Sequence, residues 1–210
     1  MNRQNTEPEY NKLNMDKFFT FNSLKFNLFI IFLFVVSFTI QNFLVEIFFS
    51  YFNSNNFSGS LIYLPHGIRV IAVLAFGWNI FPALFIGSYL TGLYLINNNF
   101  DFSLLNITAT EIIIIGSLIS ASCVFVSTYF VQALNPLAKL DVRSIEIKTI
   151  LIVVIASSVV NSLFQNVLYG FAYSDWQSLV QFFQYLTGDT FGALLIFFLV
   201  KLGFKIKSNL

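Results

Sequence analysis

The sequence predicts an all-α polytopic membrane protein, a transmembrane helical bundle of about six spans. Three observations lead there. Hydrophobic residues make up 57% of the 210 residues and charged residues only 10%, whereas a soluble domain carries about a quarter charged residues. Apolar runs recur that are long enough to cross about 30 Å of hydrocarbon, which takes roughly 20 residues of helix. Ten of the eleven Lys and Arg fall near the two ends of the chain or at one connection between those runs.

Taken in order, the runs extend from Leu24 to Ser50, Leu61 to Trp78, Ile80 to Ile96, Ser103 to Leu134, Ile147 to Ala172 and Trp176 to Val200. Helices are the only open choice, because an open sheet in lipid leaves backbone groups unpaired. The first run is too long for a signal-peptide core and ends in Phe-Phe-Ser-Tyr-Phe rather than at a small-residue cleavage site. It is therefore read as a retained span. The second carries Pro65, His66, Gly67 and Arg69, and the fourth carries Glu111 and Cys123. In the fifth, Ser158, Asn161, Ser162 and Gln165 recur at helical spacing; in the sixth, Gln177, Gln181, Gln184 and Gly188 do the same. Both patterns predict a polar face on an otherwise apolar helix.

Ten of the eleven positive residues fall in three places. Arg3, Lys12, Lys17 and Lys25 precede or open the first span; Lys139, Arg143 and Lys148 lie between the fourth and fifth; Lys201, Lys205 and Lys207 follow the sixth. Six spans put all ten on one side, and positive residues in short loops stay cytoplasmic. The opposite loops, around Asn53 to Ser60, Asn97 to Phe102 and Tyr173 to Asp175, have none. The expectation is a multi-pass protein of the cytoplasmic membrane with both termini inside. Residues 1–22 read as a polar N-terminal tail, 23–201 as the bundle and 202–210 as a short basic tail. The short connections leave no room for an extramembrane kinase or nucleotide-binding fold.

Several functions lose support from composition. A net charge of +1 offers no field to recruit nucleic acid. A lone cysteine allows no internal disulfide, and no second His or thiolate cluster supports a metal. His-Glu-x-x-His is absent, Asp189 is the only aspartate well inside a span, and no Ser has a glycine-flanked setting opposite His66. No catalytic residues, cofactor or metal are expected.

Charge at membrane depth costs about 2.5–3.5 kcal/mol per group on insertion scales and usually faces a bundle interior or polar cavity. Glu46, Arg69, Glu111 and Asp189 qualify, with His66 nearby. Counting about 1.5 Å per residue from the outer ends of the spans puts Glu46 about 6 Å deep, His66 about 8 Å, Arg69 and Glu111 about 12 Å, and Asp189 about 20 Å. An outward-opening polar pocket follows, formed by His66, Arg69, Glu46, Glu111, Gln184 and Asp189. The forked guanidinium suits a small anionic or strongly polar solute. Its partner carboxylate is either Glu111, by depth, or Asp189. A buried ion pair that only fixes helix register stands beside this reading.

Two stretches resemble the first class of MASE-type membrane-associated sensor domains. Tyr63-Leu64-Pro65-His66-Gly67-Ile68-Arg69, then Phe76-Gly77-Trp78 and Phe81-Pro82-Ala83-Leu84-Phe85-Ile86-Gly87, is similar to its Pro-x-Gly, Gly, Pro and Gly pattern; Leu186-Thr187-Gly188-Asp189-Thr190-Phe191-Gly192 resembles its later Gly-Asp-x-x-Gly helix. The arginine-bearing version is similar to the input domain of the hexose-phosphate sensor kinase. The resemblance marks Pro65, Gly67, Arg69, Gly77, Pro82, Gly87, Gly188, Asp189 and Gly192 and implies a signal-input bundle. This chain is shorter than the family's eight-span form, and no output domain follows Leu210. A signalling role would therefore act through a separate output protein.

Physically, Pro65-His66-Gly67 should interrupt or loosen the start of the second span, Gly77 and Pro82 should bracket a tight inner turn, and Gly188-x-x-x-Gly192 should offer a face for close contact. Three readings stand. One is a non-enzymatic sensor-type protein, one a solute-binding component that partners a transporter subunit, and one a structural subunit. The bilayer is the common partner, and a homo-oligomer is compatible with each.

Overall fold

The computed structural model describes residues 21–52, 62–96, 109–136, 146–173 and 178–208. The predicted loops at 53–60 and 97–102, Lys139, Arg143 and the first twenty residues lie outside them. Six α-helices follow one another: α1 (Phe21–Phe52), α2 (Leu64–Phe76), α3 (Phe81–Ile96), α4 (Ala109–Leu134), α5 (Ile147–Tyr173) and α6 (Ser178–Ser208). No strand occurs among the described residues. Five stretches are long and apolar enough to cross a membrane: Leu24–Leu44, Leu64–Tyr94, Ala109–Leu134, Ile147–Gly170 and Leu179–Leu202. The protein is thus a helical, multi-pass membrane protein.

The second of those stretches contains two helices. At Gly77 the backbone takes φ 60°, a left-handed conformation that glycine adopts without a Cβ clash. A short 3-10 turn, Gly77–Ile80, leads into α3, where Pro82 occupies the first turn and its missing N–H has no intrahelical partner to lose. Trp78 stacks on Phe125 of α4 at 4.3 Å and anchors this turn.

Contacts fix the helix directions. Phe76 of α2 meets Phe26 of α1, and Arg69 lies over Phe34, so α2 runs against α1. Gly87 faces Phe34, and Tyr94 meets Phe38, so α3 runs with α1. Gly92 faces Ile113 and Phe81 meets Phe125, making α4 antiparallel to α3. Asn161 bonds Asp189 and Tyr169 stacks on Tyr185, making α6 antiparallel to α5. The chain reverses at every connection, and the start of α1 and the end of α6 share one end of the bundle. Around the ring α1 packs on α2 and α3, α3 on α4, α4 on α5, α5 on α6, and α6 on α2, while α2 leans inward to touch α4 and α5 as well.

The surface is inside-out relative to a soluble bundle. Phe32, Phe43, Phe130, Leu134, Val180 and Phe198 are exposed, whereas Ser37, Gln41, Ser117, Ser157, Asn161, Gln165 and Gln184 are buried. With lipid outside, apolar side chains gain little by being hidden, and polar ones find partners only in the interior.

The expected second span, Leu61 to Trp78, is shorter in the structure. Its helix has 13 residues, about 20 Å at 1.5 Å per residue, and cannot cross the hydrocarbon alone. Pro65 sits in the first turn of α2, so it opens the helix rather than interrupting it. The start is sunk: Tyr63, still extended, donates its backbone N–H to Gly188 O at 2.7 Å. Gly188 lies ten residues into α6, about 15 Å along that helix. At the other end α6 continues through Ser208, so Lys201, Lys205 and Lys207 belong to its last turns rather than to a separate tail.

Glycine 192 makes this arrangement possible. A Cβ there would run into the backbone O, C and N of Tyr63, and a backbone with other helices behind it cannot yield. Gly192→Ala should lower stability by about 1–3 kcal/mol, the usual range for overpacking. Gly116→Ala, whose nearest neighbour would be 3.4 Å away, should be neutral or slightly stabilising because Ala favours helix. Thermal unfolding of the two variants in detergent checks the contrast.

Candidate functional site

Sinking the start of α2 brings its two polar side chains level with Asp189. His66 and Arg69 are three residues apart and share a helix face; both are wholly buried, and Asp189 is 2% exposed. Arg69 Nη1 donates to His66 Nδ1 at 3.0 Å and to Cys123 Sγ at 3.7 Å. His66 Nδ1 lies 3.6 Å from Asp189 Oδ2, which accepts a 2.7 Å bond from Asn161 Nδ2. On the far side of the ring, Ser157 Oγ and Ser158 Oγ lie 3.0 and 3.4 Å from Nε2.

The directions of these bonds close consistently. A guanidinium can only donate, so Nδ1 accepts and Nε2 carries the ring proton. Both serine hydroxyls spend their own hydrogens on Val154 O, at 3.0 and 2.8 Å, which leaves their oxygens free to accept from Nε2. Likewise the Cys123 thiol donates to Ser120 O at 3.2 Å, leaving Sγ open to Arg69. The opposite tautomer would set an N–H against Arg69 Nη1 at 3.0 Å, donor against donor. With Nδ1 accepting from Arg69, its 3.6 Å approach to Asp189 Oδ2 is not a hydrogen bond, and His66 stands between a cation and an anion that make no direct ion pair within 4 Å.

Two faces of the guanidinium are covered by aromatic rings, Phe34 at 5.5 Å and Tyr63 at 5.7 Å, a cation–π arrangement that replaces part of its lost hydration. Its Nε and Nη2 have no hydrogen-bond partner. From Asp189 toward the start of α6 the polar seam continues along α5 and α6. Gln165 Nε2 donates to Gly116 O at 2.9 Å and to Ser120 Oγ at 3.0 Å, and Tyr169 stacks on Tyr185 at 6.3 Å.

The expected site is thus brought together in part. His66, Arg69 and Asp189 form one cluster with Asn161, and Gln184 is buried on the outward side of Asp189. Glu111 stands exposed in the first turn of α4, away from Arg69. Glu46 falls in α1, but its side chain lies outside the described residues, as does Gln177. Depth counting fails for α2 because it assumes a span that begins at the outer surface. His66 actually sits beside Asp189, eleven residues into α6.

The charged cluster is sealed rather than open to an outer pocket. Two surface hollows lie elsewhere: one is lined by Ile62, Thr187, Phe191, Leu194 and Leu195, the other runs between α1 and α3 around Phe38, Asn42, Thr91 and Tyr94. Sequence reasoning also missed Cys123, Ser157 and Tyr63 as neighbours of the charges. The adjacent Ser157-Ser158 pair in an apolar run was a usable signal; nothing marked Cys123 beyond its being alone. Among the described residues no group of three His, Cys, Asp or Glu side chains stands ready for a metal.

Comparison with protein-family models, curated proteins and solved structures finds no match. The cluster's meaning rests on its own geometry.

Coupling within it can be measured. Arg69→Gln alone strands Asp189, and Asp189→Asn alone strands Arg69, each a costly state. The double variant should therefore be more stable than the two losses added, by about 0.5–3 kcal/mol. Arg69→Gln combined with Glu111→Gln should be additive, because Glu111 is exposed and remote. Thermal or denaturant unfolding of the three single and two double variants gives both coupling energies.

Proposed function

We propose that this chain is a membrane signal-input protein, a sensor-type bundle that binds a small polar solute from the outer side and acts through a separate partner. One observation carries the proposal: a single short helix, α2, bears both His66 and Arg69, and side chains on α4, α5 and α6 meet those two residues. A solute that took over the unused guanidinium N–H groups, or entered between Arg69 and Asp189, would loosen several helix contacts at once. That is the requirement for an input device, a ligand with different affinity for two packings. The Pro-x-Gly-x-Arg and Gly-Asp-x-x-Gly resemblance supports the same reading, since Pro65, Gly67, Arg69, Gly188, Asp189 and Gly192 all lie at this α2–α6 junction. The one-sided distribution of positive residues supports cytoplasmic termini, where an output protein would dock.

A second reading, a solute-binding component of a transporter, is favoured by the helix that begins at membrane depth, because transporters build midplane sites from interrupted helices. The two differ in whether solute moves. Purified protein should be stabilised by one class among sugar phosphates, carboxylates and neutral sugars, since a ligand bound only by the native state raises apparent stability. Arg69→Gln should abolish the response to an anion. Proteoliposomes should then show binding without uptake; uptake would instead establish the transport reading. For topology, cysteines at Ser58, Asn98 or Ser174 in a Cys123→Ser background should react with an impermeant thiol reagent from outside. Reaction only after the membrane is opened would reverse the orientation.

A further inference from the structure

Beside the charged cluster, four buried oxygens along α5 and α6 have no hydrogen-bond partner: Asn161 Oδ1, Ser162 Oγ, Gln165 Oε1 and Gln184 Oε1. Each parent residue is at most 9% exposed. Rotating the amides of Asn161 and Gln165 does not repair this. Asn161 directs its NH2 at the Asp189 carboxylate and Gln165 directs its NH2 at Gly116 O and Ser120 Oγ, so exchanging O and N would set oxygen against the carboxylate and against Gly116 O. Ser162 differs from Ser157 and Ser158, whose hydroxyls bond back to Val154 O; its own bonds nothing.

Asn161 bonds Asp189, and the other three residues follow on the same side of that pair within about one and a half helical turns. Asn161, Ser162 and Gln165 span four residues of α5, about 6 Å of rise. Gln184 stands five residues outward of Asp189 on the antiparallel helix. Both helices pass here above the sunken start of α2, at Tyr63 and Leu64. The seam offers a carboxylate with a set of neutral oxygens, all acceptors. Unpaired buried acceptors are costly, and only a species that supplies positive charge or hydrogens relieves all of them.

We propose that Asp189, Asn161, Ser162, Gln165 and Gln184 form a binding site for a small monovalent cation of the sodium class. The donor chemistry selects it. Hard oxygen ligands without thiolate or a second imidazole do not suit transition metals, and a single carboxylate is too little charge for calcium. An anion would be repelled by the Asp189 carboxylate on this side. Arg69, on the other side of His66, lowers the affinity through its charge, so occupancy should saturate in the millimolar range. The site is distinct from the guanidinium N–H groups invoked for the solute and stands or falls separately from the signalling reading.

The test is thermal unfolding of the purified full chain in NaCl, KCl or choline chloride at one fixed ionic strength. Sodium alone should raise the midpoint, in a saturable way. Ser162→Ala removes a hydroxyl that bonds nothing in the protein, so without sodium it should be as stable as the parent or more so, yet it should need about tenfold more sodium for half the effect. Gln184→Leu should also weaken the response, whereas Thr128→Val, whose hydroxyl is tied to Phe125 O on α4, should leave it unchanged. Direct binding of radioactive sodium to the unaltered protein covers the case in which Gln184→Leu does not fold. Equal stabilisation by all three salts, a sodium response untouched by Ser162→Ala, or no saturable sodium binding would each overturn the site, leaving water as the occupant of those oxygens.

Discussion

The extended backbone of Tyr63 lying against α6 at Gly188 and Gly192 is the contact on which the rest of this bundle depends. In hydrocarbon a free peptide group finds no water, so a helix can begin at depth only if its first residues have partners waiting. The carbonyl of Gly188 supplies one, and the missing side chain of Gly192 lets the two backbones come close enough. Gly67, one turn into α2, continues the same approach against Ala193 and Ile196. Gly192 and Gly67, together with the carbonyl at position 188, therefore set the height of α2, and that height decides which residues meet in the interior.

The charged cluster is the consequence. A full-length second span would have left His66 and Arg69 near the outer surface, level with Glu111. The sunken helix instead puts them beside Asp189, where the bond directions force one histidine tautomer and separate the two charges by the ring. Burying an arginine and an aspartate is costly, and the offset comes from several sources: His66, Cys123, the Phe34 and Tyr63 rings, and Asn161 on the carboxylate. Such a fully enclosed network is poorly explained as a stability device, because apolar packing of similar volume does as well or better. Its place at the junction of α2 with α4, α5 and α6 ties four helices to one another.

The seam of unpaired oxygens next to it carries a different chemistry. Arg69 keeps open donors, while α5 and α6 keep open acceptors, and Asp189 with Asn161 stands between. A membrane interior that holds both kinds side by side can bind opposite charges close together, and each would lower the cost of the other in a medium where charges are little screened.

How much of this was readable from the chain alone follows from what each feature depends on. Hydropathy over some twenty residues is a local property, so the helical class and the polar stripes of α5 and α6 stood in the sequence, and charge bias along the loops suggested a cytoplasmic side for both ends. Gly77 and Pro82 likewise announced the reversal between α2 and α3, because backbone conformation at a turn is chosen by the residues in it. Depth is another matter. Counting residues from a presumed surface put Asp189 about 8 Å deeper than Arg69, and only the contact of Tyr63 with Gly188 and Gly192 brought Asp189 level with the His66 that Arg69 holds. No local property records where along its neighbour a helix begins. The sequence by itself determined which segments are helices and which faces are polar; the tertiary structure decided their relative heights, because those are set by close backbone contacts between residues more than a hundred positions apart.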